Sequence, residues 1–210
     1  MPLPASDPQR VLQHTRAVQV EMYSRADGLW EVDARLRDTK TRKIRGSQGV
    51  LPAGEAIHDL VLRLVIDTQF HIHRAGAESL AVPYRGQCDD HGDAYAQLEG
   101  LNLMKGFKRA VRERLGGVAG CTHLTELADV LPTAVIQAFA GLVLDTKGEG
   151  DQAPFQLDRC HALRRDGEVV RLHYPRWFRQ PDANKVSENH APVTPAASRD
   201  AASAARPLSS

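Results

Sequence analysis

Nowhere in the 210 residues is there an apolar run approaching the roughly 18 residues of a membrane-spanning helix; the longest stretches are broken by Arg63, Asp67 or Pro132. No membrane partner is expected. Charge of one sign is also missing, since 27 Lys and Arg stand against 26 Asp and Glu. A net charge of +1 supplies no global field for nucleic acid or an anionic surface, so a dedicated nucleic-acid binder is disfavoured. Only three cysteines occur, so they cannot all pair within one chain, and the opening MPLPASDPQR lacks the apolar centre of a signal peptide. A soluble protein of the reducing cytoplasm is the expectation. Three catalytic signatures are absent as well: a phosphate-binding glycine loop ending in Lys-Ser or Lys-Thr, a Gly-x-Ser-x-Gly elbow, and a His-Glu-x-x-His helix. Nucleotide hydrolysis and serine hydrolase chemistry lose support accordingly.

What is present is 42% hydrophobic content, enough for one substantial core. Residues 1–15 are polar and carry three prolines, and the tail 179–210 has few large apolar residues, so both ends are expected to be flexible around a single domain at 16–178. His190 falls in that tail and is set aside. Val18 to Tyr23 and Leu29 to Arg37 read as a hairpin about Asp27-Gly28. In its second arm Trp30, Val32, Ala34 and Leu36 alternate with Glu31, Asp33, Arg35 and Arg37, the pattern of a sheet with one wet face. A loop is expected from Asp38 to Ala56, then a second strand pair, Leu60 to Ile66 and Phe70 to Ala77, about Asp67-Thr68-Gln69.

After that the period changes. Phe107, Ala110, Val111 and Leu115 fit a short helix that stops at Gly116-Gly117. Leu124, Leu127, Ala128, Leu131, Val135, Ile136 and Phe139 mark a longer one, with Pro132 predicting a kink or restart. Residues 154–178 suggest a last hairpin about Asp166-Gly167. Strands first and helices after make the fold class α+β, an antiparallel meander followed by helices.

Each cysteine has a histidine close behind it: Cys88 and His91, Cys121 and His123, Cys160 and His161. Cys121 follows a glycine-rich stretch at a helix start, where the helix dipole favours thiolate. That thiolate could bind a soft metal or attack an electrophile, with His123 as a second ligand or as the activating base, and Glu126 in support. The plain alternative is a small buried cysteine in a tight turn. Cys88 sits in a polar loop beside Asp89, Asp90 and His91, a context that suits a ligand as well as it suits solvent. His58-Asp59 stands at a loop end before a strand, where side chains can converge. His71 and His73 share one strand face that solvent explains more simply, and neighbouring strand residues such as Cys160 and His161 would point to opposite faces. In Tyr174-Pro175-Arg176-Trp177-Phe178-Arg179 aromatics alternate with arginines as on a stacking surface, and anchoring of a last strand explains them equally.

Asp27-Gly28-Leu29-Trp30, Arg37-Asp38-Thr39-Lys40, Ile57-His58-Asp59 and Gly120-Cys121-Thr122-His123-Leu124-Thr125-Glu126-Leu127 together resemble a bacterial family known as domain of unknown function 2889, over about residues 16–175. That resemblance implies kinship and no reaction. The order of elements is also similar to the NifU-type iron-sulfur scaffold proteins, which carry Cys-Gly-Asp before a strand pair, then a Gly-Cys turn, then His-Cys opening a helix. This likeness implies a NifU-like core and ligands at corresponding places. Here the first cysteine is absent with His58 beside its place, and the histidine follows the last cysteine. A ligand set of Cys88, Cys121, Asp59 and either His58 or His123 suits zinc or iron better than a full iron-sulfur cluster. Three readings stay open: a metal-binding protein, a cytoplasmic enzyme acting on a small molecule through Cys121 or an open metal position, and a protein-interaction module with structural cysteines.

Overall fold

A computed structural model describes residues 3–90 and 92–180 of the chain; His91 and the tail from 181 onward, His190 included, lie outside the described residues. At the first turn Gly28 takes φ 81°, the left-handed conformation a residue without Cβ adopts freely, and Asp27 Oδ1 accepts the Leu29 N–H at 3.2 Å. This turn joins β1 (His14–Ser24) to β2 (Trp30–Lys40) in antiparallel register. A small hairpin of β3 (Ile44–Gly46) and β4 (Gly49–Leu51) fills the expected loop, and β5 (Ala56–Ile66) and β6 (Ile72–Ala81) complete a four-stranded sheet in the order β1-β2-β5-β6. The meander is as expected, but β2 runs on past Arg37 and β5 starts before Leu60. β6 begins later than Phe70 because Phe70 turns the chain at φ 68°. In that turn Asp67 Oδ1 accepts the N–H groups of Gln69 and His71, both at 2.9 Å, while Oδ2 meets His73 Nε2 at 2.9 Å and His71 Nδ1 at 3.4 Å. Both imidazoles are about half exposed, at 53% and 46%, and serve the turn.

One face of the sheet is apolar by strict alternation. Val32, Ala34 and Leu36 of β2 and Leu60, Leu62, Leu64 and Ile66 of β5 are fully buried there. Against them packs α2 (Thr122–Phe139) through Leu124, Leu127, Leu131, Val135 and Phe139, which recur every three or four residues along one side. The helix runs unbroken through Pro132, so no restart occurs there. A shorter α1 (Phe107–Leu115) buries Phe107, Val111 and Leu115 and ends before Gly116-Gly117 as expected. The opposite face of the sheet meets water and carries cross-strand ion pairs, Arg63 on Asp33 and Arg35 on Asp59, each bidentate at 2.6 Å. With both arginines about half exposed, such pairs contribute only about 0–1 kcal/mol each.

Within the span 16–178 the chain divides into two compact units, the first ending at Asp145 and the second beginning at Thr146. In the second unit no hairpin forms about Asp166-Gly167. Gly167 instead precedes a short helix, α3 (Glu168–His173), in which Arg171 pairs with Glu168 one turn away at 2.5 Å and Val170 alone is buried. The apolar residues Val169, Val170 and Leu172 lack the alternation a strand needs, which is why the turn signal misleads there.

Candidate metal centre

The inward rows of three neighbouring strands end alike. Along β1 the row Met22, Val20, Val18 continues to Arg16 and His14; along β2 the row Val32, Ala34, Leu36 continues to Asp38; along β5 the row Leu64, Leu62, Leu60 continues to His58. Register places Arg16 opposite Asp38 and Asp38 opposite His58, so the three stand side by side where the apolar core stops. α2, which packs on β1, β2 and β5, brings its first turn over them and supplies His123 and Glu126.

Asp38 is the centre of this group and only 2% exposed. Its Oδ1 accepts from Arg16 Nε at 2.9 Å and lies 3.2 Å from His14 Nε2; its Oδ2 accepts from Arg16 Nη2 at 2.8 Å and lies 3.0 Å from His58 Nδ1. The hydrogen bonds from Arg16 hold the carboxyl at about 2 against the desolvation that opposes them, so it is a carboxylate at any ordinary pH. His58 and His123 stack with ring centroids 4.0 Å apart and planes tilted by 34°. Burial, followed by the neighbouring His58 and Arg16, lowers the pKa of His123 from its ordinary value, which favours the neutral ring with a lone pair to give. One ligand atom each from Asp38, His58 and His123 falls within 4.8 Å of the others. Two imidazoles and a carboxylate are the donors of open, three-ligand zinc and iron(II) sites.

The remaining candidates separate. Cys121 caps α2 and places Sγ 3.8 Å from His123 Nδ1, so it borders the group. Its backbone is fixed by Tyr95, whose hydroxyl accepts the Cys121 N–H at 3.1 Å and donates to the Cys121 carbonyl at 3.0 Å. Removing that hydroxyl by Tyr95→Phe leaves the Cys121 N–H without its partner, while the Cys121 carbonyl keeps the Thr125 N–H at 2.9 Å, and is expected to lower stability by about 1–3 kcal/mol in urea unfolding. Glu126 accepts from Arg16 Nη1 at 2.7 Å and is turned to the rim. Asp59 points to the other face of the sheet from His58, as neighbours in a strand must, and is held by Arg35 at 2.6 Å and Arg37 at 3.7 Å. Cys88 lies in the loop after β6, where its N–H donates to the Tyr84 carbonyl at 2.8 Å, and among the described residues it joins no group of metal-type ligands. Cys160 is exposed and belongs to the second unit.

The group includes Asp38 and adjoins His14 and Arg16, none of which is named as a ligand from sequence alone. Their signal is parity: Asp38 continues the even-numbered row of Val32, Ala34 and Leu36 and is the first charged residue in it. The match to a family model now completes the picture, covering residues 14–137. The chain belongs to the family described as protein of unknown function, DUF2889. The DUF2889 span opens at His14 and takes in Arg16, Asp38, His58, Cys121, His123 and Glu126, while Cys160 lies beyond it. No curated protein and no solved structure matches the chain, and a NifU-like core finds no support.

Proposed function

We propose that this DUF2889 protein binds a single divalent transition metal, zinc or iron, through Asp38, His58 and His123, and that the open positions of the ion act on a small molecule. The observation that carries this reading is the convergence of three ligand atoms of the right chemistry within 4.8 Å at the buried end of the sheet. Three protein ligands leave coordination positions for water or substrate, which separates such a site from a closed structural one. An iron-sulfur cluster would call for several thiolates, and among the described residues of the first unit Cys121 alone borders the group. In free protein the Asp38 oxygens are occupied by Arg16, His14 and His58, so an incoming cation would displace the His58 hydrogen bond and its proton.

Metal content by plasma mass spectrometry on anaerobically purified protein tests the reading. Near-stoichiometric zinc or iron is expected in the wild type and in Cys88→Ser, with loss in Asp38→Asn. Metal-free wild type under those conditions would defeat it. A second reading, a thiol enzyme with Cys121 as nucleophile and His123 as base, draws on the 3.8 Å approach of the two side chains. Alkylation of Cys121 by iodoacetamide that slows severalfold in His123→Ala would favour it.

A further inference from the structure

Beside the metal-type group lies a segment of positive charge without a counterpart. Lys40, Arg42, Lys43 and Arg45 occur within six residues, beginning two residues after Asp38 in the chain, and among the described residues no carboxylate pairs with any of them. The segment is placed. Lys40 stands opposite His14 in the sheet, and His14 Nε2 is 3.2 Å from Asp38 Oδ1. The Lys40 carbonyl accepts the Gly54 N–H at 2.9 Å, and Thr41 Oγ1 donates to the Leu12 carbonyl at 2.9 Å. Beyond it, Ser47 Oγ donates to the Pro83 carbonyl and Gln48 Nε2 to the Val82 carbonyl at 3.3 Å, which ties down the β3–β4 hairpin. The basic segment and the buried group therefore share one end of the sheet.

Charge settles what such a place would attract. In the group itself Arg16 offsets Glu126, its partner at 2.7 Å, and leaves the single negative charge of Asp38. A bound dication overcompensates that charge, and the unpaired cations add to the excess; a concentrated positive field draws anions. Resting on the metal-site reading above, we infer that the ligand taken at this site is a small oxyanion-bearing molecule, held by the metal's open positions and by Lys40 and Arg42 at the rim. Phosphate-type and carboxylate ligands share this chemistry, and their different shapes and charges allow them to be told apart.

The test is calorimetric titration of the full chain, first with zinc and then, on zinc-loaded protein, with methylphosphonate and with acetate in separate runs. It is repeated on the double variant Lys40→Gln, Arg42→Gln, whose changes fall on the strand end and the exposed loop. The expected result is unchanged zinc affinity in the variant and at least tenfold weaker binding of whichever anion the wild type takes; the anion bound more tightly names the ligand type. Zinc binding with neither anion bound, or with anion binding indifferent to the double change, overturns the inference and leaves the metal site standing. No zinc binding in the wild type removes the metal reading itself and this inference with it. A single-stranded oligonucleotide that binds more tightly than either anion, independently of zinc, also overturns it and makes the segment a polyanion surface.

Discussion

Zinc affinity is expected to fall at least about a hundredfold in His123→Ala, because loss of even an outer partner of a metal ligand commonly weakens binding 10–100-fold and His123 is assigned as a ligand itself. His58→Ala should do the same. A competitive titration against a chromogenic chelator reads both, with thermal unfolding run alongside to confirm that each variant is folded. The contrast with cysteine is what makes the result informative. Cys88→Ser should leave the affinity unchanged, since Cys88 joins no ligand group among the described residues. X-ray absorption of the zinc-loaded wild type should show nitrogen and oxygen neighbours at about 2.0–2.1 Å, and a shell at about 2.3 Å would mean that a thiolate has entered the sphere. Equal zinc affinity in wild type and His123→Ala would move the metal, if any binds, away from α2.

The second large effect lies at the other end of the same helix. Phe139 is fully buried as the last residue of α2, with its ring centroid 5.3 Å from that of Trp30 in an edge-on arrangement and 5.4 Å from that of Phe70. Phe139→Ala removes this wedge and leaves a cavity that the sheet and the β5–β6 turn cannot readily fill, at about 3–5 kcal/mol. Against a usual total of about 5–15 kcal/mol that is a large fraction, so the urea midpoint should drop steeply. An 18-residue helix is roughly 27 Å long, so His123 is distant from the lesion. Zinc affinity of the folded variant should therefore change little, and added zinc should recover part of the lost stability by mass action. A loss of unfolding free energy under about 1 kcal/mol would show that α2 is not docked on the sheet through Phe139.

These two residues also mark how far the fold was legible. The row of apolar residues from Leu124 to Phe139 has helical spacing, and Trp30, Val32, Ala34 and Leu36 alternate, so the helix, the central strand and the buried face of each follow from periodicity alone. Periodicity fades where the apolar core stops. β2 reads as ending at Arg37 and β1 as starting at Val18, which puts Asp38, His14 and Arg16 outside the strands although each keeps the inward parity of its row. A polar row that extends an apolar one carries no hydrophobic signal; only the partner strand, known from the register, reveals it. His58 is legible because it stands at a loop end before a strand, where side chains converge, and His123 because it follows Cys121 at a helix start. The cysteine-histidine spacing points partly elsewhere: it leads to Cys121, which borders the group, and equally to Cys88, which joins no ligand group among the described residues, and to Cys160, which belongs to the second unit. Nearness in sequence is a poor guide in strands and loops, where Asp59 sits one residue from His58 and faces the other way.

The most direct measurement is anomalous diffraction at the zinc edge from crystals of the zinc-loaded chain. The expected result is one strong peak within bonding distance of Asp38, His58 and His123, under the first turn of α2. A peak at Cys88 or Cys160 instead, or no bound zinc at saturating metal, would contradict the assignment of this group as the functional centre.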